Sequence, residues 1–410
     1  MKLTNILLLS SALIGSLSAS SLDTQFNYFG NLTASSINEK GYEVNHVINS
    51  NVDDKFSLAP YSKVGAQFSI YNDDFMFVTQ ALAYQNNDKN ELELTWLNGR
   101  YQIMDGLSIR LGRMQLALFL NSNTIDVDYV HLWTKAPIEI YGSMPLKSFD
   151  GIEIAYEKVI QNYFIEFKIT PYGKASTNVN VLKGTVKADF TDMKAIALSV
   201  QKGNLTLSAS YTIGIFDMPT DNITGLAQIL GGLEQYGNDV SRYSYKNKDI
   251  SFLSFGINYN YNNLLFTSEI SQIKSESLVP DMTAYYLMMS YRYNKFTPFI
   301  MFAENKNDKN LYKTDNIKVV DATSGQLKAG LDAILYNMNS SQQTSSIGLR
   351  YDYKVGIAFK AQLDRITFDD YGTYYPNPQS THQRYGFLSQ EVGVAKVPVF
   401  QFTTGLSFAF

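Results

Sequence analysis

The last eleven residues constrain this chain more than any other stretch. Phe400, Phe402, Leu406, Phe408 and Phe410 share one parity, and Gln401, Thr403, Gly405, Ser407 and Ala409 share the other. This is the period-two pattern of a β-strand with one greasy face and one small, polar face. At the end of a soluble sheet such a strand is a hazard, because its open edge invites pairing with other chains. In a closed barrel the same strand pairs with the first and turns its aromatic face to lipid.

The amino terminus agrees. Met1 and Lys2 precede an apolar stretch from Ile6 to Leu17, followed by Ser18, Ala19, Ser20 and Ser21. The order basic, apolar, small predicts a signal peptide over residues 1 to 20, leaving 21 to 410 as the mature barrel. No later segment supplies the ~18 consecutive apolar residues of a spanning helix. The chain holds 29 Tyr and 25 Phe, yet its mean hydropathy is −0.15, as expected where only every second residue meets lipid. Cysteine is absent, which excludes disulfides and thiolate metal sites. Net charge is −4, becoming −5 when Lys2 leaves, and no Lys/Arg block points to a nucleic-acid partner.

From residue 21 onward, sixteen alternating segments can be marked: 22 to 35, 63 to 72, 74 to 85, 91 to 104, 107 to 116, 150 to 158, 162 to 170, 190 to 201, 204 to 215, 249 to 261, 264 to 275, 282 to 293, 295 to 305, 344 to 354, 356 to 368 and 397 to 410. Tight Asn/Asp/Gly-type turns join alternate pairs, as at Asp105 and Gly106 or Asn262 and Asn263. The intervening links are mostly long: 36 to 62, 117 to 149, 171 to 189, 216 to 248, 306 to 343 and 369 to 396; only 86 to 90 and 276 to 281 are short. Short turns at one end and long loops at the other predict an all-β fold, an antiparallel up-and-down transmembrane barrel with extracellular loops. The segments favour sixteen strands over fourteen or eighteen. A soluble sandwich would not sort its links by parity.

Two long loops carry helical patterns: Ile223, Leu226, Ala227, Leu230 and Leu233 behind a cap at Asp221 or Thr220, and Leu327, Leu331, Ile334, Leu335 and Met338 behind a cap at Asp321. They are expected either to lid the mouth or to pack the loops on one another. Parity on the cleaner strands turns Thr206, Ser208, Ser210 and Thr212 inward, with Arg110, Arg292, Arg350, Asp352, Lys360, Gln362 and Asp364. An outward arginine at the bilayer midplane would cost about 2–4 kcal/mol. Arg100 joins this inward set, although alternation breaks near Trp96, and the segment around Phe75 and Phe77 cannot be phased.

The link after the fifth segment, from Leu118 through Trp133 to Tyr141, is too apolar for a solvated loop. In topology, and in its terminal aromatic strand, the whole mature chain resembles the trimeric porins of Gram-negative outer membranes. In that family the loop after the fifth strand folds into the barrel and narrows it. The resemblance implies a constriction with Asp126, Asp128 and Glu139 on the loop, facing Arg100, Arg110, Arg292 and Arg350. The alternative is that these carboxylates pair with Arg113 or Lys135 and merely pin the loop. It also implies an assembly signal in Leu406, Phe408 and Phe410 read by the barrel-assembly machinery, an outer-membrane location among lipid, and a homotrimer. The short link at 86 to 90 departs from the second loop with which many members latch a neighbouring subunit.

Chemistry-bearing motifs are missing. His46, His131 and His382 are scattered, and His131 is expected to pack beside Trp133. There is no Gly-x-Ser-x-Gly elbow, Walker loop or dinucleotide fingerprint. The expected function is passive diffusion of ions and small hydrophilic solutes, with no enzyme activity and no cofactor. A substrate-selective channel, with Tyr286 and Phe299 beginning an aromatic track, is a second transport reading. A plugged barrel acting as adhesin or receptor, and a fourteen-strand fatty-acid carrier, complete the alternatives.

Overall fold

The computed structural model describes residues 22–40, 42–44, 52–86, 89–144, 146, 148–181, 184–219, 225–275, 277–308, 314–337, 341–368, 383–385, 388–390 and 398–410. The expected signal peptide, His46, Met338 and His382 lie outside them. Sixteen strands form a closed barrel: β1 Asp23–Ile37, β2 Lys63–Tyr71, β3 Phe75–Asn86, β4 Lys89–Met104, β5 Leu107–Met114, β6 Phe149–Ile160, β7 Tyr163–Val181, β8 Gly184–Lys202, β9 Leu205–Asp217, β10 Lys248–Tyr261, β11 Leu264–Ser275, β12 Met282–Tyr291, β13 Phe296–Asn307, β14 Gln342–Lys354, β15 Ile357–Phe368 and β16 Val399–Ala409. Each strand pairs antiparallel with its sequence neighbours, and β16 pairs with β1 from Phe29↔Ala409 to Ile37↔Gln401. Closure leaves the sheet without an edge. The last residue takes part in the seam: the Tyr28 N–H donates to the Phe410 carbonyl at 2.8 Å, and the Phe410 N–H to the Tyr28 carbonyl at 2.9 Å. Gly356, at φ +80° in the turn beside this seam, leaves room for the Phe410 ring, which a Cβ would meet at 2.7 Å.

The sixteen segments read from alternation coincide with these strands, apart from boundaries. One boundary is a correction: residues 171 to 189, expected as a loop, mostly continue β7 and β8, each 19 residues long. The reason is packing. Ala175, Val179, Val186, Ala188 and Phe190 line one face of the extended hairpin and are buried against the outer-loop core. Gln80 on β3 pairs with Trp96 and Ala81 with Leu94, so Thr95 is the extra residue of a bulge that breaks the alternation of β4. Pairing with β2 also phases β3: Leu82, Gln80 and Val78 lie opposite Gly65, Gln67 and Ser69 and share their inward face.

Helix α1 spans Ile138–Tyr141 in the link after β5, and in the outer loops α2 spans Leu226–Gln235 and α3 Ala322–Asn337. Asp321 caps α3 by accepting from the Ser324 N–H at 2.8 Å. For α2 the cap expected at Asp221 or Thr220 is corrected: the helix starts after Gly225, at φ +85°, and residues 220 to 224, Ile223 among them, lie outside the described part. The two long helices pack on each other through glycines, a Cβ at Gly232 meeting Leu327 at 2.8 Å and one at Gly330 meeting Ile229 at 2.9 Å. Leu226, Leu230, Leu233, Leu331 and Leu335 join the same buried cluster. Helix pairing of this kind favours loop packing over a free lid.

Candidate functional site: the inserted loop and the passage beside it

After β5 the chain turns into the barrel and follows the wall from β9 round to β1. The first hold is at Leu118, whose carbonyl accepts from Ser210 Oγ at 2.7 Å and from Ser254 Oγ at 2.5 Å. The Leu120 N–H then donates to Glu269 on β11 at 2.8 Å. The Tyr141 and Tyr286 hydroxyls donate to the other oxygen of that carboxylate, Tyr286 at 3.0 Å. Burying a carboxylate is tolerable when its lone pairs are filled in this way.

Further round, β14 and β15 hold the loop by its backbone. The Arg350 guanidinium donates to the carbonyls of Tyr129 and His131, the latter at 3.0 Å, and lies over the Tyr129 ring at 4.8 Å. Lys360 Nζ donates to the carbonyls of Asp128 and Trp133, the latter at 3.2 Å. Lys135 reaches the other way, to Asp364 at 2.7 Å and to Gln401 Oε1 at 3.0 Å. Burial opposes the charge of Lys135, but Asp364, Tyr61 and Glu139 together outweigh it and lift the ammonium above the usual lysine range.

An apolar layer completes the contact. Leu132, Trp133 and Ile140 pack on Tyr286, Met288, Phe299 and Met301, so the inward aromatics of β12 and β13 serve the loop rather than an open track. His131 stacks on Trp133 with ring centroids 4.7 Å apart. Burial pushes its pKa down to about 3, and its Nε2 lies 2.9 Å from the Thr124 carbonyl. A neutral, buried ring of this sort packs; it does not shuttle protons.

The site residues named from sequence therefore separate into groups. Glu139, 1% exposed, accepts from Gln342 Nε2 at 2.6 Å and from Thr344 Oγ1, behind the loop. Arg350 is also buried there. Arg292 is exposed beyond the end of β12, at the short-turn rim. Asp126 and Asp128 face β2, where Lys63 approaches them at 3.7 and 3.2 Å. Arg100 and Arg110 are register partners on β4 and β5. Each has an acid: Glu157 at 3.3 Å from Arg100, and Glu153 hydrogen-bonded to Arg110. Arg113, by contrast, forks onto Asp150 at 2.7 and 2.8 Å.

Beside the loop the lumen holds cavities. A cavity of about 280 Å³ is lined by Arg100, Arg110, Glu153, Glu157, Glu166 and Lys168 with Asn123 of the loop. A second, of about 140 Å³, shares Asn123, Glu166 and Lys168 and adds Ser199, Thr206 and Ser208. Toward the long-loop end lies a third, of about 170 Å³, with Tyr61, Lys63, Tyr84 and Asp126 on its walls. Phe119 and Ser122 line both the second and the third, so this stretch of loop is the partition between them. The sequence reading does not single out Lys63, Glu153, Glu157, Glu166 or Lys168. Strand parity is the signal that could find them, but parity on one strand does not say which neighbours that strand meets.

The architecture is thus a closed barrel of sixteen strands with the loop after the fifth laid inside it. No family profile and no curated protein sequence matches the chain. Among solved structures, the fold is similar to an anion-selective porin from Comamonas acidovorans, at 11% identity and TM-score 0.52 over 95% of this chain and 100% of that one. It is similar also to the outer membrane channel DcaP of Acinetobacter baumannii, at 12% identity and TM-score 0.52 over 96% and 99%. A third is OmpF of Salmonella typhi in complex with daunomycin, at 10% identity and TM-score 0.52 over 94% and 97%. The likeness is one of fold.

Proposed function

We propose that this chain is a porin of a Gram-negative outer membrane, a passive diffusion channel for ions and small hydrophilic solutes. The observation that carries the reading is the pair of polar, charged cavities left between the inserted loop and the wall of β2 to β9. The loop's apolar residues pack against β12 and β13, so it narrows the lumen without filling it. Asp126 and Asp128 on the loop, with Lys63, Arg100 and Arg110 on the wall, are the charges a solute would pass. Glu139 and Arg350 act one step back, by fixing the loop. An apolar outer band, including Leu32, Leu207, Ile300 and Ile347, is exposed and suits lipid. We further propose a cleaved signal peptide, recognition of Leu406, Phe408 and Phe410 during assembly, and a homotrimer.

The test is single-channel recording of refolded protein in a planar bilayer. Stable, ohmic steps support the reading. Folded barrels that insert yet pass no current would replace it with a plugged receptor or adhesin.

A further inference from the structure

The cavity of about 280 Å³ beside Asn123 carries its charges in blocks. Arg100 and Arg110 are register partners on β4 and β5, and Glu157 and Glu166 are register partners on β6 and β7. Like charges placed directly across two strands destabilise a sheet. The ion pairs Arg100–Glu157 at 3.3 Å, Arg110–Glu153 and Lys168–Glu166 at 2.7 Å offset that cost, yet they leave donors and acceptors over. Arg113 and Arg350, which pin structure, each engage all three guanidinium nitrogens: Arg113 with Asp150 and the Leu94 carbonyl, Arg350 with Asp352 and the carbonyls of Tyr129 and His131. Arg110 engages Nη2 alone, with Glu153, while Arg100 engages Nε with Ser108 and Nη2 with Gln102 and Glu157. Among the described residues, Nε and Nη1 of Arg110 and Nη1 of Arg100 have no acceptor, and Oε2 of Glu157 and of Glu166 accepts no hydrogen bond.

Resting on the porin reading above, we propose that this cavity is a binding site for a small zwitterion of the amino-acid class, one of the solutes in transit. Its carboxylate takes the spare N–H groups of Arg100 and Arg110, in the planar paired geometry a guanidinium offers. Its ammonium lies between Glu157 and Glu166, further round the same wall. Both blocks stand on the wall itself, and Asn123 of the inserted loop adds an uncharged amide to the lining. Asp126 and Asp128, expected from sequence to oppose these arginines, are held by Lys63 instead, so the charge pattern runs along the wall from β4 to β7 and not across the gap. A simple anion brought to the arginines is opposed by Glu153 and Glu157; a simple cation brought to the glutamates is opposed by Lys168 and Arg100. A zwitterion satisfies both blocks at once. The side chains of Arg100 and Glu157 are 35% and 31% exposed, hence within reach of a solute, and the cavity far exceeds the ~10–15 Å³ that a single water needs.

The experiment is calorimetric titration of the refolded, detergent-solubilised protein with L-alanine, acetate and methylammonium at low salt, paired with bilayer recording in KCl. The parent should bind alanine saturably and the two simple ions at least about tenfold more weakly, each lacking one set of charge-assisted bonds. Arg110→Gln and Glu157→Gln should each weaken alanine by about tenfold on the same ground. Arg100→Gln stands in if Arg110→Gln, which leaves the buried Glu153 without its base, does not assemble. In Glu157→Gln the preference should also change, acetate now binding as well as alanine, which loss of a merely structural ion pair would not produce. Alanine should lower the KCl current of the parent to a plateau. No saturable alanine binding, equal binding of either simple ion by the parent, or parental alanine affinity in the variants overturns the inference, while a conducting channel keeps the porin reading. Alanine binding in barrels that insert but pass no current overturns the porin reading and keeps the site, as that of a bound ligand.

Discussion

Lys360 shows how a wall residue shapes the passage without lining it. Its ammonium fills the carbonyls of Asp128 and Trp133, gathering the intervening turn of loop on one cation. Lys360→Met keeps the stem and removes the donor; the Asp128 carbonyl retains the His131 N–H at 3.1 Å, and loss of the bond to the Trp133 carbonyl costs about 1–3 kcal/mol. We expect a lower unfolding temperature and a noisier open-channel current, read by thermal denaturation and bilayer recording. An unchanged melting curve with a quiet channel would mean that water replaces the ammonium. Parity alone places Lys360, Gln362 and Asp364 inside the barrel, because alternation is a property of one strand. Their partners are illegible in sequence, since a contact between residues 128 and 360 depends on the path of a loop that has no period. Glu139 shows the same limit: it reads as a loop acid, and its burial behind the loop follows from packing that no local pattern encodes.

At the scale of elements, the closing strand carries its own signature. Phe402, Leu406 and Phe408 alternate with polar or small partners, and the last residue, Phe410, holds Tyr28 through both backbone bonds. Deleting Phe410 should reduce the amount of protein reaching the outer membrane, measured by fractionation against the full chain. Equal yields would show that the terminal aromatic is dispensable. The extended β7–β8 hairpin is harder to see, because Asn, Thr and Lys interrupt its alternation and its apolar face is buried by loops distant in sequence. For α2 and α3 the helical period is plain, and the glycine contact between them is not. Gly232→Leu should force the pair apart at an overpacking cost of about 1–3 kcal/mol, making the outer loops easier to cleave in limited proteolysis. If α2 and α3 only pack the loops, conductance should be unaltered; a larger conductance would instead make them a lid.

For the whole molecule, strand order and closure follow from one repeated rule: short turns join neighbours and long loops return. The number of strands is readable because each one must alternate to face lipid on one side and water on the other. The passage is not, because its shape is what remains after the whole link between β5 and β6 has been laid against the wall from β9 to β1. Asn123 stands on that loop, exposed to both of the lower cavities. The chain has no cysteine, so Asn123→Cys provides a single reactive thiol. The account predicts that a small water-soluble thiol reagent added during bilayer recording will lower the single-channel current of this variant in discrete steps while leaving the parent untouched; complete labelling, confirmed by mass, with no change in current would contradict a passage beside the inserted loop.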